Sequence, residues 1–113
     1  MNLTTATQGD VTVVTLAGNL MGGPDATVLN TKLHELLGAG SRKIVLDLSG
    51  VEFLNSSGLS LLIVGAGALR TAGGKLILAG ASPKVSSVIT LAKLSSVLEM
   101  HPSVKAAVRS FKA

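Results

Sequence analysis

Apolar runs and alternating apolar and polar positions predict four or five strands. Residues 3–7 and 11–17 are rich in Thr and Val and flank a Gln-Gly-Asp turn, which predicts an opening hairpin. Residues 44–48 form a short apolar run between polar flanks, as is typical of a strand covered on both faces, so we expect it at the centre of the sheet. Residues 75–79 predict a further strand, and residues 97–100 predict a short edge strand.

Helical spacing predicts four helices among these strands. The first helix closes at Gly38, and the second runs from residue 56 to about residue 72, before Gly73 and Gly74. Pro83 suits the first turn of the third helix, and Pro102 lies near the start of the fourth. The apolar faces of the first, third and fourth helices comprise, in turn, Leu29, Leu33, Leu36 and Leu37; Val85, Val88, Ile89 and Ala92; and Val104, Ala107, Val108 and Phe111. Strand, helix and strand in this order imply a right-handed parallel crossover, so the predicted class is α/β.

Length and composition favour one compact domain over residues 1–113. Hydrophobic residues make up 47% of the chain and charged residues 14%, which is enough apolar material for a core. With only two aromatic residues, Phe53 and Phe111, the core must be built from aliphatic side chains. We therefore expect a folded monomer with mixed helix and strand content.

Charge and targeting features favour a cytoplasmic protein without nucleic-acid or membrane partners. The chain contains no cysteine, and its first residues lack the basic region and apolar run of a signal peptide. Residues 53–69 carry no charge but are fewer than the roughly 20 apolar residues that a membrane span needs. The formal net charge is +4, yet the basic residues are scattered and no stacking aromatics accompany them.

Motifs for catalysis, metals and cofactors are weak in this chain. His34 and His101 are far apart in sequence and neither has a second ligand at metal-binding spacing, so we interpret both as surface histidines. The Gly-Ala-Gly sequence at Gly65 lacks the third glycine of a dinucleotide fingerprint, which favours close helix packing instead. After Gly73 and Gly74, Leu76 stands where a phosphate-binding loop requires Ser or Thr. The sequence therefore predicts no cofactor, no metal site and no enzymatic activity.

The most informative segment is residues 47–59, which read DLSGVEFLNSSGL and are expected to run from the central strand through a short loop into the second helix. Its distinctive content is three small polar residues, Asn55, Ser56 and Ser57, at the predicted helix start. Taken alone, this pattern is explained by a helix cap in which Asn55 or Ser56 accepts hydrogen bonds from the first turn, contributing ~1 kcal/mol relative to alanine.

The segment resembles the signature of bacterial anti-sigma factor antagonists, the STAS family. Further similarity lies in residues 16–20 (LAGNL), residues 73–76 (GGKL) and residues 81–83 (ASP), so the resemblance covers essentially the whole chain. It implies a STAS-like fold, with a mixed sheet of about four to five strands, about four helices and an opening hairpin. It also implies that Ser56, the first serine of the Ser-Ser-Gly element, is phosphorylated.

The resemblance implies a binding switch. The unphosphorylated protein would bind an anti-sigma factor that is also a serine kinase, thereby releasing a sigma factor, and a serine phosphatase would restore binding after phosphorylation. We expect Ser57, turned about 100° further around the helix, to face the sheet. The predicted partner-binding residues come from two strand ends that we expect to be neighbours: Asn19, Leu20, Met21, Gly22, Asn55, Ser57, Gly58 and Leu59.

Two positions depart from the family pattern. The family usually has Asp before the phosphorylated serine and often Asp after the Gly-x-Leu element, whereas this chain has Asn55 and Met21. Both changes remove a carboxylate from the expected contact surface. They leave open a constitutive binder, a divergent partner, or a STAS-like subunit of a transport complex that docks on a cytoplasmic ATPase without phosphorylation.

Overall fold

The computed structural model describes residues 2–21, 23–91 and 98–112, and the statements below concern these residues. They form five strands and four helices in the predicted order. The elements are β1 (Asn2–Gln8), β2 (Val11–Leu20), α1 (Pro24–Gly38), β3 (Lys43–Leu54), α2 (Ser56–Thr71), β4 (Lys75–Ala79), α3 (Pro83–Leu91), β5 (Met100–His101) and α4 (Val104–Lys112). Ala92 of the predicted third helix and Val97 of the predicted edge strand lie outside the described residues.

The five strands form one mixed sheet in the order β1-β2-β3-β4-β5. β1 and β2 pair antiparallel as the opening hairpin, whereas β2, β3, β4 and β5 pair parallel. The predictions of a mixed sheet, an opening hairpin and a central third strand are confirmed. Because β2, β3 and β4 run parallel, their carboxyl ends meet at one edge of the molecule, where the following helices begin.

Helices cover both faces of the sheet. Successive side chains of each central strand point to opposite faces, so alternate residues pack in the core on one face or on the other. On one face, Leu46 and Leu78 pack in a cluster with buried side chains of α1, α2 and α3. On the other face, Val45 and Ile77 pack against α4 through Ala107 and other buried side chains. This double cover explains why β3 and β4 are nearly continuous apolar runs.

β2 and β3 extend beyond the predicted residues 11–17 and 44–48, so the expected loop after the central strand is wrong. Instead, residues 49–54 continue β3 alongside β2. The pairing of β2 with β3 contains two register shifts. Between the pairs Thr15↔Asp47 and Leu20↔Leu54, β3 has two more residues than β2, and the shifts accommodate them. Gly50 permits this pairing, since a Cβ there would lie 2.9 Å from the carbonyl oxygen of Leu16.

Close helix packing at Gly65, predicted from the sequence, is confirmed. A Cβ on Gly65 would lie 2.9 Å from Cδ1 of Leu33, so the glycine lets α2 approach α1 on the same face of the sheet. The end of α2 is also as predicted, because Gly73 follows it with a positive φ of 82° and β4 starts at Lys75.

Candidate functional site

The candidate site lies where β2 and β3 end side by side and α1 and α2 begin. Leu20 and Leu54, the last residues of the two strands, are register partners. The backbone N–H of Asn55 then donates to the carbonyl oxygen of Leu20 at 3.4 Å. The prediction that the segment around Met21 lies beside the segment around Ser56 is therefore confirmed, although Gly22 lies outside the described residues.

Asn55 is the N-cap of α2, which decides between the two caps that the sequence left open. Its backbone is extended, with φ −98° and ψ −179°, and its Oδ1 accepts a hydrogen bond from the N–H of Gly58 at 2.8 Å. Its carbonyl oxygen accepts from the N–H of Leu59, also at 2.8 Å. Ser56 is consequently the first helical residue, as predicted, beside the amides that a helix leaves unpaired.

Gly58 fixes how closely α2 approaches β2. A Cβ on Gly58 would overlap the carbonyl oxygen of Leu20 and would lie 2.8 Å from the carbonyl carbon of the same residue. It would also lie 3.0 Å from Cδ1 of Leu54. Glycine is therefore required here for its lack of a side chain, and it brings the first turn of α2 against the end of β2.

Ser56 and Ser57 are both exposed, so the expectation that Ser57 faces the sheet is wrong. The residue that faces the sheet backbone in this turn is Gly58, one position later. Ser60, one helical turn after Ser56, is also exposed and donates its hydroxyl to the carbonyl oxygen of Ser56 at 3.0 Å. The start of α2 therefore presents hydroxyl groups to solvent.

Three predicted contact residues are corrected by their burial. Leu20 is fully buried, Leu59 is 8% exposed and Gly58 is buried. The side chains of Leu20 and Leu59 belong to the core, and Gly58 lies in the helix–strand contact, so these three residues support the site instead of lining it. The predicted residues that reach solvent are Asn19, Met21, Asn55, Ser56 and Ser57, which we call the helix-start surface.

Met21 places an apolar side chain on the helix-start surface, because 41% of the residue is exposed. Its backbone N–H donates to Oδ2 of Asp25 at 3.1 Å, in the first turn of α1. An acidic side chain there is favoured by the partial positive charge of a helix N-terminus. A carboxylate thus stands near the position where the sequence suggested that one was lost. The signal for it was present in the sequence as an acidic residue after Pro24, at a helix start.

Phe53 and Lys84 adjoin the helix-start surface and were not among the residues predicted for it. Phe53 pairs in register with Asn19 on the neighbouring strand, and 39% of it is exposed. The Nζ of Lys84, in the first turn of α3, lies 5.3 Å from the centroid of the Phe53 ring, within the range of a cation–π contact. No local motif marks this pair, because it joins two segments that are 31 positions apart.

The two histidines stand in different surroundings. His34 is exposed on α1, as predicted, whereas His101 is half-buried with its Nε2 at 2.9 Å from Oε2 of Glu99. Lys75 contacts Oε1 of the same carboxylate at 2.5 Å. Hydrogen bonds from Lys75 and then His101 lower the pKa of Glu99 by favouring its charged form. Within the described ranges, no group of three or more potential ligand side chains could hold a metal ion.

Fold and site together define an α/β domain that exposes serines at a helix start beside a strand end. The STAS domain family matches residues 2–107, and the chain belongs to this family. It is 31% identical over 88 residues to BtrV of Bordetella bronchiseptica, a candidate anti-sigma factor antagonist, covering 78% of this chain and 76% of BtrV. In the part of the chain described, no helix has the length and apolar character to cross a membrane.

Solved structures of related proteins share the fold. An anti-sigma factor antagonist from Mycobacterium paratuberculosis superposes with a TM-score of 0.87 at 23% identity, covering 99% of this chain and 94% of that one. The Bacillus cell fate determinant SpoIIAA, in its phosphorylated form, superposes with a TM-score of 0.72 at 20% identity, covering 96% of this chain and 99% of that one. At these identities the likeness establishes the architecture and leaves residue roles to the geometry of this chain.

Proposed function

We propose that this chain is an anti-sigma factor antagonist that binds an anti-sigma factor through the helix-start surface and thereby releases a sigma factor. The observation that carries the proposal is Ser56, an exposed hydroxyl at the first position of α2. The hydrogen bond from the N–H of Asn55 to Leu20 holds this helix start beside the strand end that precedes Met21. Membership of the STAS family and the likeness to BtrV support the same class of function.

Phosphorylation of Ser56 by an anti-sigma factor serine kinase is the proposed off-switch. A phosphoserine adds about −1.5 to −2 charges at neutral pH. At the first position of a helix this charge meets free amides and the positive end of the helix dipole, an interaction worth about 0.3–1 kcal/mol. Because Ser56 is exposed in the free protein, the phosphate requires no burial there. The modification therefore leaves the fold intact, and a serine phosphatase can reverse it.

The cost of the phosphate falls on the complex. When a partner covers Ser56, the phosphate loses water, and an ion without a partner in an interface costs several kcal/mol. A loss of only about 2.8 kcal/mol weakens affinity roughly a hundredfold. The chain is thus the substrate of the kinase and acts by binding.

The assignment of the switch to Ser56 instead of Ser57 rests on the position within the Ser-Ser-Gly element. Exposure does not separate the two serines, since both reach solvent. Their positions in the helix differ only slightly. Ser56 is the first residue after the Asn55 cap, and Ser57 follows it within the same turn.

Labelling with radioactive ATP and the anti-sigma factor kinase of the same organism tests this assignment. Wild type, Ser57→Ala and Ser60→Ala should be phosphorylated, whereas Ser56→Ala should bind the kinase without being labelled. Ser60→Ala is the matched control, because it removes an exposed hydroxyl one turn away. Label that persists in Ser56→Ala would refute the assignment.

Asn55, in place of the usual Asp, favours one alternative, a STAS-like subunit that docks on a cytoplasmic ATPase of a transport complex. That function needs no phosphorylation. The alternative predicts that the chain binds a transport ATPase and no anti-sigma factor. It also predicts that neither wild type nor any of the three serine variants is labelled. These results together would contradict our proposal.

A further inference from the structure

The outer edge of β1 is long and unprotected. β1 lies at one end of the sheet order, spans seven residues and pairs only with β2 in the described part of the chain. Its residues are exposed except for Leu3, which is half-buried. From Asn2 to Gln8 the sequence NLTTATQ has no charged residue, no proline and no glycine.

Soluble proteins rarely leave such an edge open, because its free N–H and C=O groups are a template for another strand. The usual protections are short edge strands, charged side chains, proline and bulges. The opposite edge of this sheet has two of them. β5 is only two residues long, and the ion pairs of Glu99 with Lys75 and His101 lie beside it. β1 has none of these protections.

We propose that β1 pairs antiparallel with β1 of a second copy of this chain, about a two-fold axis at Thr5, to form a continuous ten-stranded sheet. When the two strands overlap fully, the numbers of two facing residues add up to ten. Thr5 then faces Thr5, while Leu3 faces Thr7 and Asn2 faces Gln8. The sequence pattern alone favoured a monomer, because it does not show that the outer edge of residues 2–8 is left uncovered.

A second copy fits this edge because the strand is complementary to itself. A two-fold interface sets the same residues against each other in both directions, so one charged residue at the axis would face its own copy. β1 brings no such repulsion. Directly opposed threonines hydrogen-bond across antiparallel strands, and amide side chains at Asn2 and Gln8 can do the same.

The pairing leaves the helix-start surface free. Thr5 is the register partner of Val14, and β2 continues for six residues beyond Val14 to Leu20. At about 3.3 Å per residue, the axis lies roughly 20 Å from the strand end where the helix-start surface begins. Because the two copies run antiparallel, their helix-start surfaces lie at opposite ends of the extended sheet.

Sedimentation equilibrium over a concentration series up to about 1 mM, where weak association is detected, tests the proposal. The wild-type mass should rise from 11.4 kDa towards twice that value. Thr5→Lys and Thr5→Glu should each stay at the monomer mass, because like charges meet at the axis. An equimolar mixture of the two variants should recover the dimer, because opposite charges then face each other. Thr71→Lys, an exposed threonine on α2, is the matched control and should dimerise like wild type.

Recovery in the mixture also shows that both variants are folded, so loss of the dimer cannot be attributed to unfolding. A wild type that stays monomeric throughout the series would overturn the proposal. So would a Thr5→Lys variant that dimerises like wild type. If Thr5→Lys and Thr5→Glu each formed dimers, and mixing them did not increase the dimer fraction, the contact would lie elsewhere. This result would also overturn the proposal.

Discussion

Replacing Gly58 with alanine tests the contact that builds the site. The new methyl group would overlap the carbonyl oxygen of Leu20, and it would lie 2.8 Å from the adjoining carbonyl carbon. These are backbone atoms of β2, which cannot rotate away as a side chain can. Either α2 must move outward or the end of β2 must move, and both changes disturb the core beneath the helix-start surface.

The magnitude follows from two opposing effects. Over-packing typically costs about 1–3 kcal/mol, and an overlap with backbone belongs at the upper end. Alanine regains about 0.5–1 kcal/mol relative to glycine in a helix. We therefore expect Gly58→Ala to lower the free energy of unfolding by about 2 kcal/mol, which corresponds to a fall in Tm of about 10 °C for a domain of this size.

Gly67→Ala is the matched control in the same helix. A Cβ at Gly67 meets nothing within 4 Å, so this variant should be stabilised by about 0.5–1 kcal/mol. Urea unfolding followed by far-UV circular dichroism measures both, because the chain lacks Trp and Tyr as fluorescent probes. If Gly58→Ala proved as stable as Gly67→Ala, the close approach of α2 to β2 would be refuted.

Two further predictions concern the cap and the ion pairs of β5. Asn55→Ala should lower the free energy of unfolding by about 1 kcal/mol in urea titrations, because the N–H of Gly58 loses its acceptor; unchanged stability would contradict the cap. Glu99 has a pKa lowered by Lys75 and His101, so its contribution to stability is present above its ordinary pKa of 4.5 and is lost as the pH falls through the folded value. Glu99→Gln should therefore flatten the decline of the urea midpoint below about pH 5, and a decline as steep as that of wild type would exclude this role.

Local signals in the sequence were sufficient to predict the limits of a helix or strand where the residues at the boundary themselves start or end the element. The strand at residues 75–79 was predicted with the observed limits, because Gly73 and Gly74 end one element before the apolar run begins the next. The start of α2 at Ser56 was likewise predicted, because a small polar cap precedes an apolar helix.

Other features depend on contacts between distant segments, which the sequence pattern does not contain. β3 continues to Leu54 because Gly50 lets its backbone approach Leu16 of β2. Leu20 was assigned to the partner surface because the predicted strand ended at residue 17 and the residues after it were expected to leave the sheet, yet β2 continues to Leu20 and the core buries this residue completely. Ser57 is exposed because Gly58, and not Ser57, lies against the backbone of β2. The close distance between Gly58 and Leu20 is defined only in the folded chain.

The affinity of the anti-sigma factor for this chain, before and after phosphorylation of Ser56, tests the proposed function most directly. Isothermal titration calorimetry should show tight binding by the unmodified protein and a dissociation constant at least about a hundredfold higher for the stoichiometrically phosphorylated protein. The Tm values of the two free forms should agree within a few degrees, because the phosphate lies at an exposed helix start. Equal affinities of the two forms for the anti-sigma factor would contradict the account.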